Sequence, residues 1–182
     1  GIVYVDGMIL SGYEQPTPFG NSGLVFSGEI RRALEKAAAD DTVRAIVMRV
    51  DSPGGSALGS EAILRALKQA KTHKPVIVSM GNVAGSGGYY VSCAADTIFA
   101  DTATITASIG VVGGKFVTAD MWNKLGVNWT PYKRGRQSDM LSSLRPFDDD
   151  QRKHIEGWMR EVYAAFKEHV VREREGKLRK PI

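Results

Sequence analysis

Continuous β-branched runs alternate with helical apolar stripes along the first half of the chain. Three apolar runs predict buried strands, at Ile2–Val5, Val43–Val50 and Pro75–Met80. Apolar residues spaced three and four apart predict two helices between them, Ser27–Asp40 with Ser27 as its cap, and about Ser60–Thr72. Repeated strand, turn and helix units predict an α/β fold with a mostly parallel sheet and flanking helices.

The remaining segments are less regular until a long helix close to the end of the sequence. Prolines and glycines predict a loop over Gly12–Gly23, and a short helix ending at Ala95 precedes a short strand at Thr97–Ala100. Thr104–Gly114 is small and apolar, which fits either the wall of a peptide groove or a core strand. Acidic residues at the start and basic residues at the end predict a long helix over about Asp148–Glu175.

The length of 182 residues suits a single domain, and we predict one domain over residues 1–182. Neither an internal repeat nor a linker is visible in the sequence. The sequence begins with Gly1 rather than Met and enters a strand at once. We therefore expect the chain to be a fragment of a longer tandem-domain protein.

The net charge of +4 is concentrated near the end, where residues 172–182 contain five Lys and Arg against two Glu. The rest is close to neutral, so no basic face for nucleic acid is expected. The longest apolar run is shorter than the ~18 residues of a membrane span. One cysteine, Cys93, excludes an intrachain disulfide and a cysteine-built metal site, and we expect neither a metal nor a cofactor.

Two glycine turns follow predicted strands, at the sheet edge where α/β proteins place their active residues. The first is Asp51–Gly55, whose backbone can direct successive N–H groups toward an oxyanion. A purely structural Pro-Gly-Gly turn is the alternative. The second is Ala84–Gly88, where Ser86 stands between glycines at a predicted helix start.

Ser86 has the features of an activated nucleophile: an exposed hydroxyl, close backbone approach for a substrate and the positive end of a helix nearby. The segment approaches the nucleophile elbow, with Ala84 in the first glycine position. The alternative is a close-packed glycine turn with an incidental serine. A nucleophile requires a proton acceptor, which the elbow motif normally finds in histidine.

The histidines are poor candidates for that base. His73 ends a predicted helix, and His154 and His169 lie among charged residues that predict a solvated helix face. Cys93 is interpreted as a small buried residue, and Asp148–Asp150 as a helix start rather than a glycosidase carboxylate pair. Lysine is the other established partner of serine, provided that burial lowers its pKa.

Four segments now form an ordered set: Asp51–Gly55, Ser79–Gly81, Ala84–Tyr90 and Ala107–Val111. Together they resemble the signal peptide peptidase A (protease IV) family, over nearly the whole chain. The resemblance implies a ClpP/crotonase-like α/β fold and a serine–lysine peptidase. It implies that Ser86 is the nucleophile.

The same resemblance implies roles for further residues. Gly55 and Gly87 correspond to the oxyanion hole, and Ser108 corresponds to a serine that positions the lysine. Gly54 and Gly81 are predicted to contact the substrate.

The general base is where the sequence departs from the family. Short members have their lysine in a segment resembling Tyr132–Met140, and Ser138 occupies its place here. The candidate bases in this chain are Lys115 and Lys133, and both have polar or basic surroundings. In tandem-domain members the amino-terminal half supplies the lysine, and this chain resembles the carboxyl-terminal half. We therefore predict Ser108 and Ser138 as base-positioning residues, and an inactive isolated fragment.

The resemblance also implies partners and a location. The expected substrates are cleaved signal peptides, and the expected partners are other copies, or the other half of the same protein, in a ring. The expected place is the bacterial or archaeal cell membrane on its extracytoplasmic face, reached through segments outside this chain. Two alternatives stay open: a lysine-lacking pseudo-peptidase scaffold, and a crotonase-type acyl-CoA enzyme.

Overall fold

The computed structural model describes residues 1–16 and 20–178. The chain divides into two compact units, one formed by Gly1–Gly110 with the segment that begins at Ala164, the other by Val111–Tyr163. In chain order the elements are β1 (Ile2–Asp6), β2 (Met8–Leu10), β3 (Leu24–Phe26), α1 (Ser27–Ala39), β4 (Ile46–Ser52), α2 (Ala57–Lys71), β5 (Val76–Gly85), α3 (Gly87–Ser92), β6 (Thr97–Phe99), β7 (Ile105–Ala107), α4 (Ala119–Lys124) and α5 (Asp149–Glu173).

The first unit is built on a parallel sheet in the order β1-β4-β5-β6, and β7 pairs with the far end of β5. Strands β2 and β3 form a separate parallel pair. The α/β class with a mostly parallel sheet is therefore confirmed. Because parallel strands all end at one edge, the turns after β4 and β5 lie side by side.

One sheet face packs on the hydrophobic core. In β4 every second side chain is buried, from Ile46 to Ser52, as expected for a strand with one covered face. Helices α1 and α2 supply the opposing layer through fully buried residues such as Leu34 and Leu67, and Val170 of α5 belongs to the same core. This packing holds the carboxyl ends of β4 and β5 in place.

Helix α2 begins earlier than expected. Ser56 is its N-cap, and the hydroxyl of Ser56 accepts the Gly59 N–H at 3.1 Å. The prediction of Ser27 as a cap is wrong: Ser27 is the first residue of α1, and its Oγ accepts the Gly12 N–H at 3.1 Å. Ser27 therefore fixes the preceding loop rather than the helix start.

Three further features differ from the sequence predictions. The pair β2–β3 was not predicted, because three-residue strands are too short for alternation to show. Only Ile105–Ala107 of the small apolar segment is a strand. Helix α4 was not predicted either. Within residues 1–16 and 20–178, no helix is both long enough and apolar enough to cross a bilayer.

Candidate active site

Ser86 occupies the turn between the end of β5 and the start of α3, in a backbone conformation that ordinary residues avoid. Its φ of +46° and ψ of −118° match the glycine position of a type II′ turn. The Ser86 N–H donates to the Ala107 carbonyl at 3.0 Å, and the Ser86 carbonyl accepts the Tyr90 N–H at 2.9 Å. Such strain persists only where the surroundings hold it, and it is common at active sites.

The turn after β4 lies directly against this serine. A Cβ added to Gly54 would lie 2.5 Å from the Gly87 nitrogen and 2.9 Å from the Ser86 Cβ. A Cβ added to Gly87 would lie 3.1 Å from the Gly54 Cα and 3.3 Å from the Gly55 nitrogen. Any side chain here would push the two turns apart, so both glycines are needed for the close approach.

Two backbone N–H groups are free beside Ser86. Gly55 forms a parallel bridge with Ile9 that uses the Gly54 carbonyl and the Ser56 N–H, so the Gly55 N–H points away from Ile9. The Gly87 N–H is the first of α3 and lacks an intrahelical acceptor. Within the described part of the chain, neither N–H has a protein acceptor. The pair can donate to an oxyanion formed next to the Ser86 hydroxyl.

Ser108 lies next to Gly85, the residue that precedes Ser86. A Cβ on Gly85 would be 3.6 Å from the Ser108 Cβ, and Ser108 is exposed. Ala107 and Ser108 both have positive φ, +66° and +47°, so the chain turns sharply as β7 ends. The structure thus brings Ser86, Gly54, Gly55, Gly87 and Ser108 together in the first unit.

Ser138, predicted to position the base, and the two candidate lysines belong to the second unit. Ser138 is exposed, and its hydroxyl donates to the Gly135 carbonyl at 3.0 Å. Lys115 donates to the Met140 carbonyl at 2.8 Å, and Lys133 forms a 3.0 Å ion pair with Asp139. Both amines are thus held by oxygen atoms of the second unit.

Gly81, predicted to contact the substrate, has a packing role in the structure. It is buried, and a Cβ there would lie 2.4 Å from the Asp51 Oδ2. Its carbonyl accepts the Thr104 hydroxyl at 2.8 Å. The substrate contacts expected of Gly54 and Gly81 stay predictions.

A polar cluster that the sequence did not predict joins α2, α3 and α5. The Tyr90 hydroxyl donates to the Glu61 Oε2 at 2.7 Å, and the His169 Nε2 lies 3.7 Å from the same oxygen. Burial and the Glu61 hydrogen bond raise the pKa of Tyr90. The solvated-face prediction is wrong for His169, whose side chain is 21% exposed and packs on the Tyr90 ring, and it holds for His154, which is exposed.

Cys93 is fully buried at the end of α3. Burial raises the pKa of the Cys93 thiol to about 12, so the group is a neutral thiol at physiological pH. This agrees with its interpretation as a small buried residue.

Fold and site together define a class: an α/β protein whose parallel sheet presents a strained serine beside two free backbone amides. A sequence model of Peptidase family S49 matches residues 68–180, which is more than half of the chain. The chain belongs to peptidase family S49, as the sequence motifs indicated.

Known proteases from a plant and from bacteria are similar to this chain. It is 39% identical over 126 residues to "Serine protease SPPA, chloroplastic" from Arabidopsis thaliana, covering 69% of this chain and 19% of the relative. "Protease 4" is 46% identical over 111 residues in Haemophilus influenzae, covering 60% and 17%, and 40% identical over 128 residues in Salmonella typhi, covering 70% and 20%. The chain thus spans about a fifth of each relative.

A solved structure of a ClpP1 mutant from Listeria monocytogenes is also similar, with a TM-score of 0.39 and 17% identity, over 52% of this chain and 46% of that one. The parallel α/β class follows from the strand pairing of the chain itself.

Proposed function

We propose that this chain is the serine-bearing domain of an endopeptidase that acts through an acyl-enzyme intermediate. The observation that supports it most directly is the Ser86 hydroxyl beside the N–H groups of Gly55 and Gly87. Among residues 1–16 and 20–178, none of these three groups has a hydrogen-bond partner. Membership of peptidase family S49 supports the same reaction.

In the proposed reaction, the Ser86 Oγ attacks the scissile carbonyl carbon while a base removes the hydroxyl proton. The carbonyl oxygen becomes an oxyanion and accepts hydrogen bonds from the Gly55 and Gly87 N–H groups. The C–N bond then breaks, and the amine leaves with the proton from the base. Water, activated by the same base, attacks the acyl ester and releases Ser86.

The base is proposed to be a lysine from a part of the full-length protein outside residues 1–182. Ser138 stands where short family members have their lysine, and Lys115 and Lys133 both donate hydrogen bonds to other groups. We propose that Ser108 holds the incoming amine, and its exposed position beside Gly85 supports this role. The isolated chain is accordingly expected to be inactive.

The substrate class and setting follow from the family resemblance. Cleaved signal peptides are the proposed substrates, and the glycine-rich walls formed by Gly54, Gly55 and Gly87 favour small or apolar residues at the scissile bond. We place the protein at a bacterial or archaeal membrane, facing the extracytoplasmic side, anchored by segments outside this chain. Other copies, or the other half of the protein, complete a ring.

A fluorophosphonate probe tests the proposed nucleophile. The full-length protein is expected to be labelled at Ser86, and Ser86→Ala to abolish the label. Ser143→Ala is the matched control, because Ser143 is exposed and belongs to the second unit. Labelling that survives Ser86→Ala would overturn the assignment, and an unlabelled wild-type protein would favour the scaffold or the acyl-CoA enzyme.

A second experiment addresses the base. Substituting each lysine upstream of residue 1 in the full-length protein is expected to identify one whose loss removes hydrolysis while Ser86 stays in place. Robust peptide hydrolysis by the isolated 182-residue chain would contradict an external base.

A further inference from the structure

The pairing of β4 with β5 contains an irregularity just before the candidate site. The two strands pair residue by residue in a regular register up to Val50↔Met80, but the next pair is Ser52↔Ala84. Over this step β4 advances two residues and β5 advances four. Two extra residues therefore form a bulge in β5, and a bulge leaves backbone groups without their ladder partners.

The carboxylate of Asp51 supplies those partners. Its Oδ1 accepts the Val83 N–H at 3.1 Å, and its Oδ2 accepts the Asn82 N–H at 3.1 Å and the Asn82 side-chain amide at 3.2 Å. Gly81 leaves the space for it, because a Cβ there would lie 2.4 Å from Oδ2. One side chain of β4 thus holds the whole bulge of β5.

The bulge determines how far β5 extends relative to β4. Without the two extra residues, Asn82 would face Ser52, and Ser86 would lie about 7 Å further along the sheet, at roughly 3.3 Å per residue. With them, Ser86 and the Gly87 nitrogen lie so close to Gly54 that a Cβ there would be 2.9 Å and 2.5 Å away. The backbone of Asp51 is held as well, since its carbonyl accepts the Gly7 N–H at 2.9 Å.

We propose that Asp51 is a positioning residue, whose carboxylate fixes the bulge in β5 and so places Ser86 against the Gly55 and Gly87 amides. The proposal rests on the proposed function for its effect on catalysis. Its structural part, the bulge held by Asp51, stands apart from any activity. Asp51 acts through the backbone of residues 82 and 83 and not through contact with the substrate.

The first test uses Asp51→Ala in the full-length protein, with Asp6→Asn as the control. Asp6 pairs with Asp51 in the neighbouring strand, so the control removes the same charge from the same sheet face without touching the bulge. Asp51→Ala is expected to lower kcat about 100-fold, the effect of misplacing a reacting group by an ångström or so, with a much smaller change in KM. Fluorophosphonate labelling of Ser86 is expected to slow in parallel.

Asp51→Asn distinguishes positioning from a general loss of structure. It retains one acceptor oxygen, so its kcat is expected to fall between those of Asp51→Ala and wild type. Amide hydrogen exchange at residues 82 and 83 is expected to accelerate in both variants and to be unchanged in Asp6→Asn. A folded Asp51→Ala protein with wild-type kcat and wild-type exchange would overturn the proposal.

Gly81→Ala provides an independent route if Asp51→Ala does not fold. The added methyl would take the space of the carboxylate, so this variant is also expected to lower kcat and accelerate exchange. In the double variant, Gly81→Ala is expected to add little to Asp51→Ala, because the carboxylate it displaces is already gone. If the double variant lost kcat by the product of the two single fold-changes, the two substitutions would act independently, and the shared mechanism would be contradicted.

The outcomes also separate this proposal from the proposed function. If Ser86→Ala abolishes hydrolysis and Asp51→Ala does not lower it, only the positioning role fails. If Ser86→Ala leaves hydrolysis intact, the proposed function fails, and hydrogen exchange at residues 82 and 83 still decides whether Asp51 holds the bulge.

Discussion

The two units of the chain are stabilised in different ways. The first has a core of fully buried aliphatic residues around β4, β5 and α2. Among the described residues of the second, Val111–Tyr163, the only buried side chain is that of Gln151, and its Nε2 has no protein partner. Large side chains are open to solvent there, with Val112 at 99%, Phe116 at 89% and Tyr132 at 96% exposure.

Polar contacts take the place of a core in the second unit. Asp139 accepts hydrogen bonds from Arg145 and Lys133, and the Lys115 ammonium lies over the Phe147 ring. Partly exposed pairs of this kind contribute little to stability. A strained, fixed geometry such as that of Ser86 needs a packed surrounding, and only the first unit provides one.

The largest effect is expected at Ser86. Ser86→Ala and Ser86→Gly are both expected to lower peptide hydrolysis by the full-length protein by about 10³-fold or more. Only the glycine variant is expected to have a higher free energy of unfolding, by about 1 kcal/mol, because glycine relieves the strain at φ +46°. Thermal unfolding and peptide hydrolysis measure the two effects. Equal stability of the two variants would show that the serine backbone is not strained.

Core truncation tests the contrast between the units directly. Leu67→Ala, at a fully buried residue of α2, is expected to lower the free energy of unfolding by about 2–5 kcal/mol. Leu141→Ala removes the same atoms from a residue that is 69% exposed and is expected to change it by about 0.5 kcal/mol or less. Urea unfolding checks both. Similar losses would mean that the second unit has a packed core after all.

Gly87→Ala tests how closely the start of α3 packs against α2. Its Cβ would lie 2.5 Å from the Ser60 Oγ, and overpacking of this kind costs about 1–3 kcal/mol. Ser60→Ala alone loses the 2.9 Å bond to the Ser56 carbonyl, worth about 1 kcal/mol. In the double variant the alanine at 60 removes the clashing oxygen, so the loss in unfolding free energy is expected to be smaller than the sum. Strict additivity would contradict the contact.

The smallest effect concerns the ion pairs of the second unit. Hydrogen bonds from Arg145 and Lys133 lower the pKa of Asp139 to about 2. Because this is below the ~3.9 of an unfolded aspartate, its small stabilisation is present above pH 4 and is lost as the pH falls toward 2. Asp139→Asn is therefore expected to lower the melting temperature slightly at pH 7 and by less at pH 2. Asp120→Asn, at an exposed residue of α4, is the control.

Much of the site could be predicted from the sequence because its parts are local. The apolar runs of β4 and β5, the glycine turns that follow them and the short helix after Ser86 each depend on neighbouring residues. Their ordered motifs were enough to identify the family. The sequence also predicted that Cys93 is buried and that His154 is solvated.

Other features depend on residues far apart in the chain, and local patterns do not encode them. His169 looked solvated because its sequence neighbours are charged, yet α5 brings it onto Tyr90 of α3. The contact of Gly54 with Gly87 exists only because β4 and β5 pair. The bulge is likewise a relation between two strands, so the role of Asp51 is visible only once their register is known.

By itself, then, the sequence determined the alternating strands and helices, the two glycine turns and the position of Ser86 at the start of a helix. These features depend on apolar periodicity and on the backbone freedom of glycine, which both have their effect within a few residues. The tertiary structure decided the spacing of the site. That spacing is set by the register of β4 with β5, by the contact between glycines of the two turns, and by the Asp51 carboxylate, which accepts hydrogen bonds from the neighbouring strand. All three are interactions between residues that are distant in the sequence.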